Sequence, residues 1–267
     1  MSFIRSHRDA LNTFFQYLKL QTPDNRAGAD KAAKIEQILA FFEIVHAQVR
    51  RYSSKRRLVF IDSGAGNGYL SFLVYYFYRH LDQRPVAIHC LDTNARLMEK
   101  GRRRGRNLGF EHLHFHTCDI AAFSHPGPVD MVYALHACDA ATDKALYLGV
   151  RQQARCILAV ACCQHQVRRQ LRGHPYTGIT KHRVFKEKLV YMVGDVLRGL
   201  LLEMRGYKVD MVEFASTRHT DKNIMIRARK QGGADAEERR REYLQIRDEF
   251  HVTPALEGLL NQQDAGP

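Results

Sequence analysis

The run Leu58-Val59-Phe60-Ile61-Asp62-Ser63-Gly64-Ala65-Gly66-Asn67-Gly68-Tyr69-Leu70 is apolar and β-prone until it ends in an acid and three glycines at alternate positions. Such a run specifies a buried strand, a backbone free to turn tightly and meet a ligand with no Cβ in between, and a helix from about Tyr69. It reads as a cradle for a nucleotide-type ligand. A dinucleotide fingerprint, Gly-x-Gly-x-x-Gly, spaces its last two glycines more widely than Gly66 and Gly68, and no Lys-Ser or Lys-Thr follows to close a phosphate loop. The bland alternative is a ligand-free β-to-α turn, which rarely needs three close-approach glycines together with an acid.

The rest of the chain alternates strand and helix signals. Strands are expected at Leu58–Asp62, Val86–Leu91, Leu113–Cys118, Met131–Leu135 and Cys156–Ala161, with helices at Tyr69–His80, Thr93–Leu108 and Asp139–Gln153. Short strands alternating with helices call for a parallel sheet. Two helices come first, Phe3–Lys19 and Asp30–Arg50, separated by a turn at Thr22–Gly28. A long helix, Val184–Arg205, stops at Gly206 and leads into two runs, Lys208–Phe214 and Asn223–Arg229, close enough for a hairpin. The tail from Gly232 is charged and helical to about Phe250, and Asn261–Pro267 reads as disordered.

At 267 residues the chain can bury a substantial core as one α/β domain with appendages. No apolar run reaches the ~18 residues of a spanning helix. The N-terminus, Met1 to Arg8, has no apolar segment of a secretion signal, so a cytoplasmic protein without a membrane partner is expected. Cys90, Cys118, Cys138, Cys156, Cys162 and Cys163 lack a small-domain disulfide pattern and are expected as thiols. The oligomeric state is not legible.

Asp-x-Gly-x-Gly-x-Gly after a strand, here Asp62 to Gly68, is similar to motif I of the class I S-adenosylmethionine-dependent methyltransferases. The resemblance implies an α/β, Rossmann-like seven-stranded sheet whose seventh strand inserts between the fifth and sixth. It divides the chain into an N-terminal helical appendage (1–55), a methyltransferase domain (56–230) and a charged C-terminal helix with a tail (231–267). It also implies S-adenosyl-L-methionine as cofactor. Ligands of doubly wound sheets bind outside the carboxyl ends of the strands. Asp62, with Gly64, Gly66, Gly68 and Tyr69, would then face the methionine part, and Asp92 the two ribose hydroxyls, unless Asp92 merely caps the next helix. Asp119 and Ile120 would meet the adenine, with capping as the alternative for Asp119, and Leu135 and His136 would flank the cofactor on the acceptor side.

Two clusters follow the fourth and fifth strands, His136-Ala137-Cys138-Asp139-Ala140-Ala141-Thr142-Asp143 and Ala161-Cys162-Cys163-Gln164-His165; a third, Thr217 to Asn223, lies in the late hairpin. His-x-Cys-Asp, Cys-Cys-x-His and the late Thr-Asp-Lys-Asn together resemble the group that includes the tRNA acceptor-stem 2′-O-methyltransferases and uncharacterised relatives. The resemblance covers about Leu58 to Arg229 and departs from it at Ala161, where that group often has Pro, and in lacking extra zinc-finger cysteines. The catalytic candidates are His136, His165, Asp139 and Cys163. A histidine there could take the proton from an acceptor hydroxyl as it is methylated, since imidazole titrates near pH 6.5. Three other readings stand beside this one. Cys162 or Cys163 could attack a pyrimidine ring as a thiolate; Cys138, Cys162, Cys163 and His165 could bind metal, although adjacent strand cysteines point opposite ways; or the cysteines could be small core residues. No metal site is assigned.

A formal charge of +13 makes an anionic partner, RNA, plausible. Basic residues gather between Arg96 and Arg106. A second set, Arg168, Arg169, Arg172, Lys181, His182 and Arg183, surrounds a Gly/Pro-containing loop whose Tyr176 could stack on a base.

Overall fold

The structure, a computed structural model, describes residues 4, 6–22, 24, 26–137, 139–171, 174, 176–214, 223–232 and 235–264, with His136 described by its backbone. Its backbone divides into two compact units, Met1–Thr117 with Glu213–Asn223, and Cys118–Val212 with Ile224–Pro267.

In the first unit, α1 (Arg8–Tyr17) and α2 (Ala29–Val49) precede β1 (Leu58–Ser63). They are followed by α3 (Tyr69–Tyr76, extended by a π-helical turn over Phe77–Leu81), β2 (Val86–Asp92), α4 (Ala95–Asn107) and β3 (Leu113–Thr117). The strands are parallel in the order β3-β2-β1, with Phe60 opposite Ile88 and Cys90 opposite Phe115. Burial along β1 is nearly continuous, which is the mark of a strand covered on both faces. Aromatic contacts fasten the leading helices: Phe14 of α1 stacks on Tyr76 at 4.3 Å, and Phe42 of α2 meets Phe77 edge-on at 5.1 Å.

The second unit holds β4 (Met131–Ala137), α5 (Ala140–Arg151), β5 (Cys156–Ala161), α6 (His165–Gln170), α7 (Thr177–Thr180), α8 (Arg183–Glu203), β6 (Tyr207–Glu213), β7 (Ile224–Lys230), α9 (Ala236–Phe250) and α10 (Ala255–Asp264). β4 and β5 are parallel, β7 runs antiparallel to β5, and the order is β4-β5-β7-β6. The seventh strand thus lies between the fifth and sixth, as expected. Together the seven strands and their helices make the mixed, Rossmann-like α/β fold of class I methyltransferases.

Some expectations needed correction. Asn261 to Asp264, expected to be disordered, end α10. Leu256 and Leu260, one turn apart, are buried, and Asp264 accepts both arms of the Arg205 guanidinium, so tertiary contact orders a segment whose composition alone does not. β4 runs two residues further than expected, to Ala137. Of the expected loop Arg172–Thr180, Thr177–Thr180 form the short helix α7, and residues 172, 173 and 175 lie outside the described residues. Cys138 and residues 215–222, which carry most of the late hairpin motif, lie outside the described residues.

Candidate active site

The loop after β1 is shaped by its glycines: Gly64, Gly66 and Gly68 take φ of 77°, 55° and 68°, the left-handed region that a side chain disfavours. Backbone hydrogen bonds strap it to the end of β2, for the Gly64 and Ala65 amides both donate to the Leu91 carbonyl at 2.9 Å. The Gly66 amide donates to Asp92 Oδ2 at 2.9 Å, while the Asn94 amide donates to Asp92 Oδ1 at 2.8 Å. Asp92 therefore joins two β-to-α crossings. It is not the helix cap: Asn94 caps α4, its side chain accepting from the Leu97 amide at 3.1 Å. Each Asp92 oxygen keeps a second lone pair for a ligand hydroxyl. A Cβ built at Gly66 would meet no atom within 4 Å, so the cradle is open there.

Asp62, next to last in β1, is 4 % exposed and accepts a hydrogen bond from Ser71 Oγ at 2.7 Å. Burial pushes its carboxyl up to about 7; the Ser71 bond opposes that shift and the neighbouring Asp92 adds to it. Tyr69, the first residue of α3, carries Lys34 and Arg104 over its ring at 4.9 and 5.8 Å.

In the second unit, Asp119 caps the turn over Ile120–Ala122, accepting from the Ala121 amide at 2.8 Å, and pairs with Lys144. That hydrogen bond from Lys144 holds its carboxyl below the usual range. The capping alternative thus describes its contacts, and Ile120 beside it is buried. Leu135 is half-buried near the end of β4. The pairing of β4 with β5 slips between Leu135 and Ala137, leaving His136 as the extra residue of a bulge.

Asp139 has φ 50° and ψ −117°, a conformation that costs a non-glycine residue on the order of 1–3 kcal/mol. Its amide donates to the Cys163 carbonyl and its Oδ1 accepts from the Gln166 amide, both at 3.1 Å. The structure thus brings together the segments after β4 and β5. Cys163 is half-buried, and His165 is exposed at the start of α6. Beneath them, Arg198 of α8 is 1 % exposed and grips Asp143 with two bonds of 2.8 and 3.0 Å. It also donates to Gln164 Oε1 at 3.0 Å, and Gln164 Nε2 donates to Asp195 at 2.8 Å. Burial raises the Asp195 carboxyl to about 6, with Arg198 opposing the shift. Sequence reasoning passed over Arg198 and Asp195, although charges three residues apart among Leu197, Leu200, Leu201 and Leu202 were a signal. Among the described residues no group of three or more His, Cys, Asp or Glu could hold a metal.

A strapped triple-glycine crossing after β1, an acid at the end of β2 and a reversed seventh strand define a class I S-adenosylmethionine-dependent methyltransferase. The residues fit that cofactor, for they offer an open glycine cradle, a buried acid able to face an ammonium, and a carboxylate with spare lone pairs for a diol. A family described as a methyltransferase domain matches residues 33–170, over half of the chain, and the chain belongs to it. No curated protein matches the sequence. Solved structures similar to it include the S-adenosylmethionine-bound magnesium protoporphyrin IX methyltransferase of Synechocystis, at 12 % identity and a TM-score of 0.49, covering 86 % of this chain and 96 % of that one. Another is an rRNA methylase of Streptococcus thermophilus, at 10 % identity and a TM-score of 0.42, covering 71 % and 95 %.

Proposed function

We infer that the protein is a cytoplasmic methyltransferase whose acceptor is RNA, tRNA or rRNA, methylated on oxygen or nitrogen. The observation that carries the acceptor reading is the basic, aromatic surface that follows the Cys162–His165 segment. Tyr176 and Phe185 are 44 % and 53 % exposed, and Lys181, His182, Arg183 and Lys188 beside them are exposed cations or imidazole. The Tyr176 ring packs against Phe250, with centroids 5.7 Å apart. Such interleaving suits stacked bases and a phosphate chain, and the net charge of +13 draws polyanions from a distance.

Bound S-adenosylmethionine supplies a methyl group activated by its sulfonium. The chain's own tasks are alignment, water exclusion and proton removal. Asp62 and the cradle of Gly64, Gly66, Gly68 and Tyr69 hold the methionine end. Asp92 accepts from the ribose hydroxyls, Asp119 and Ile120 border the adenine, and Leu135 flanks the cofactor on the acceptor side. His136 or His165 takes the acceptor's proton. Asp139 fixes the loop bearing Cys163 through the bonds to the Cys163 carbonyl and the Gln166 amide.

Transfer of radiolabelled methyl groups to a cell extract, followed by nuclease or protease digestion, tests the acceptor. Label released by nuclease is expected, whereas label in protein or small metabolites would replace RNA. Replacing Asp92 with Ala should weaken cofactor binding by about 1.5–3 kcal/mol, read by calorimetry, because a charge-assisted hydrogen bond is lost. Unchanged affinity would remove Asp92 from the ribose role.

A further inference from the structure

β3 is the outer strand of its sheet, and its side chains alternate between two surfaces. Phe115 faces α3 and α4, with its ring 5.6 Å from Phe72 and against Gly101. His114 and His116 face the other way. His114 is the register partner of His89 on β2, and the His89 ring stacks on His114 at 5.0 Å and on His116 at 5.3 Å. Nδ1 of His89 lies 3.1 Å from Nε2 of His116. A cavity of about 490 Å³ opens along this edge, lined by Arg102, Arg106, Phe110, His114 and His116 among others. A second, of about 130 Å³, is lined by Arg57, Arg79 and His112. Arg102 is fixed to the edge by donating to the Phe115 carbonyl at 2.9 Å, while the side chain of Arg106 is 68 % exposed.

We propose that this edge is a platform for single-stranded RNA, with the imidazoles of His114 and His116, backed by His89, taking bases and Arg57, Arg102 and Arg106 taking phosphates. It rests on the RNA reading above and adds a binding surface on a different part of the protein from Tyr176. Ring faces interleaved with guanidinium groups are what an unpaired strand requires, since every base has a π-face and every linkage a charge. Among the described residues, Glu99 engages Arg102 and approaches Arg106, and Glu111 lines the cavity. Burial, then neighbouring imidazoles, and then Arg57 for His114 or Arg102 for His116, hold both rings below their ordinary 6.5. Among the described residues, the titratable and charged groups set against them include His89 from β2, His112 just ahead of β3, Arg57 from the connector, Arg102 and Arg106 from α4, and Glu111. An arriving phosphate chain favours the charged imidazoles, so binding takes up protons and tightens as pH falls.

The test is fluorescence anisotropy of the full-length protein with a labelled single-stranded oligoribonucleotide of mixed sequence, over a range of salt and from about pH 8 to about pH 6. Arg106→Gln should lower the slope of log affinity against log salt by about 1, and Arg106→Lys should restore it. His114→Ala should weaken binding about tenfold, while His116→Phe should keep affinity but flatten its pH dependence. Cofactor affinity should stay unchanged in all four variants. Wild-type binding that depends on salt, with variants of the same slope, affinity and pH profile, would overturn the platform while leaving RNA as acceptor. No salt-dependent binding by the wild type would overturn both.

Discussion

Asp62 is a buried acid whose charged form the fold disfavours, and its consequences separate stability from binding. Its carboxyl is raised from an ordinary 3.8 to about 7, so the folded protein holds a proton that the unfolded chain releases. The proton's contribution is full below the unfolded value and is lost as pH rises through about 7. Asp62→Asn should therefore match the wild type in acid and become the more stable protein by about 2–4 kcal/mol above neutrality, as read from urea midpoints at several pH values. Its cofactor affinity should fall, since an amide offers no charge to an ammonium. Equal stability of the wild type and the Asp62→Asn variant at about pH 8 would show that the carboxyl is not strained.

Arg198 makes the opposite case at the same scale. Three buried polar side chains, Asp143, Gln164 and Asp195, accept from it or bond to one that does. Arg198→Met leaves them without their cation and should cost about 3–5 kcal/mol, with Arg198→Lys intermediate because one ammonium cannot reproduce the two-pronged grip on Asp143. Denaturant titration measures both variants. Of the candidate site, the glycine loop and Asp92 were legible in sequence because their pattern is local. The clasp at Asp139 was not, since its partners, Cys163 and Gln166, come from a different crossing.

Among the elements, α4 and β3 are joined by the absence of a side chain. A Cβ at Gly101 would lie 2.4 Å from the Phe115 ring, so the helix rests on the strand at glycine distance. Gly101→Ala gains helix propensity of about 1 kcal/mol but overpacks this contact by about 1–3 kcal/mol. A net loss of thermal stability is expected, and a rise in Tm would show that Phe115 can move aside. Alternation made β1 to β5 visible before any coordinates, with boundaries within two residues. α10 was not visible, because ten residues of modest apolar content become a helix only when Leu256 and Leu260 find a buried seat.

For the whole molecule, excess positive charge is the property that acts at a distance. With 41 Lys and Arg against 28 Asp and Glu, RNA retention on purification should be heavy in low salt and fall steeply as salt is raised, as absorbance ratios of column fractions would show. Retention indifferent to salt would count against binding through phosphates. No helix among the described residues is long and apolar enough to cross a membrane.

Sequence alone determined the glycine-rich crossing after β1, because Asp62, Gly64, Gly66 and Gly68 encode a backbone path that chain stereochemistry enforces within a few residues. It also determined the alternation from which the sheet follows. Tertiary structure alone decided which distant groups meet: the Asp92 oxygens on the glycine loop, the Arg198 grip beneath Gln164, and the row of imidazoles across β2 and β3. Those contacts depend on strand register and helix packing, which no local pattern of residues records.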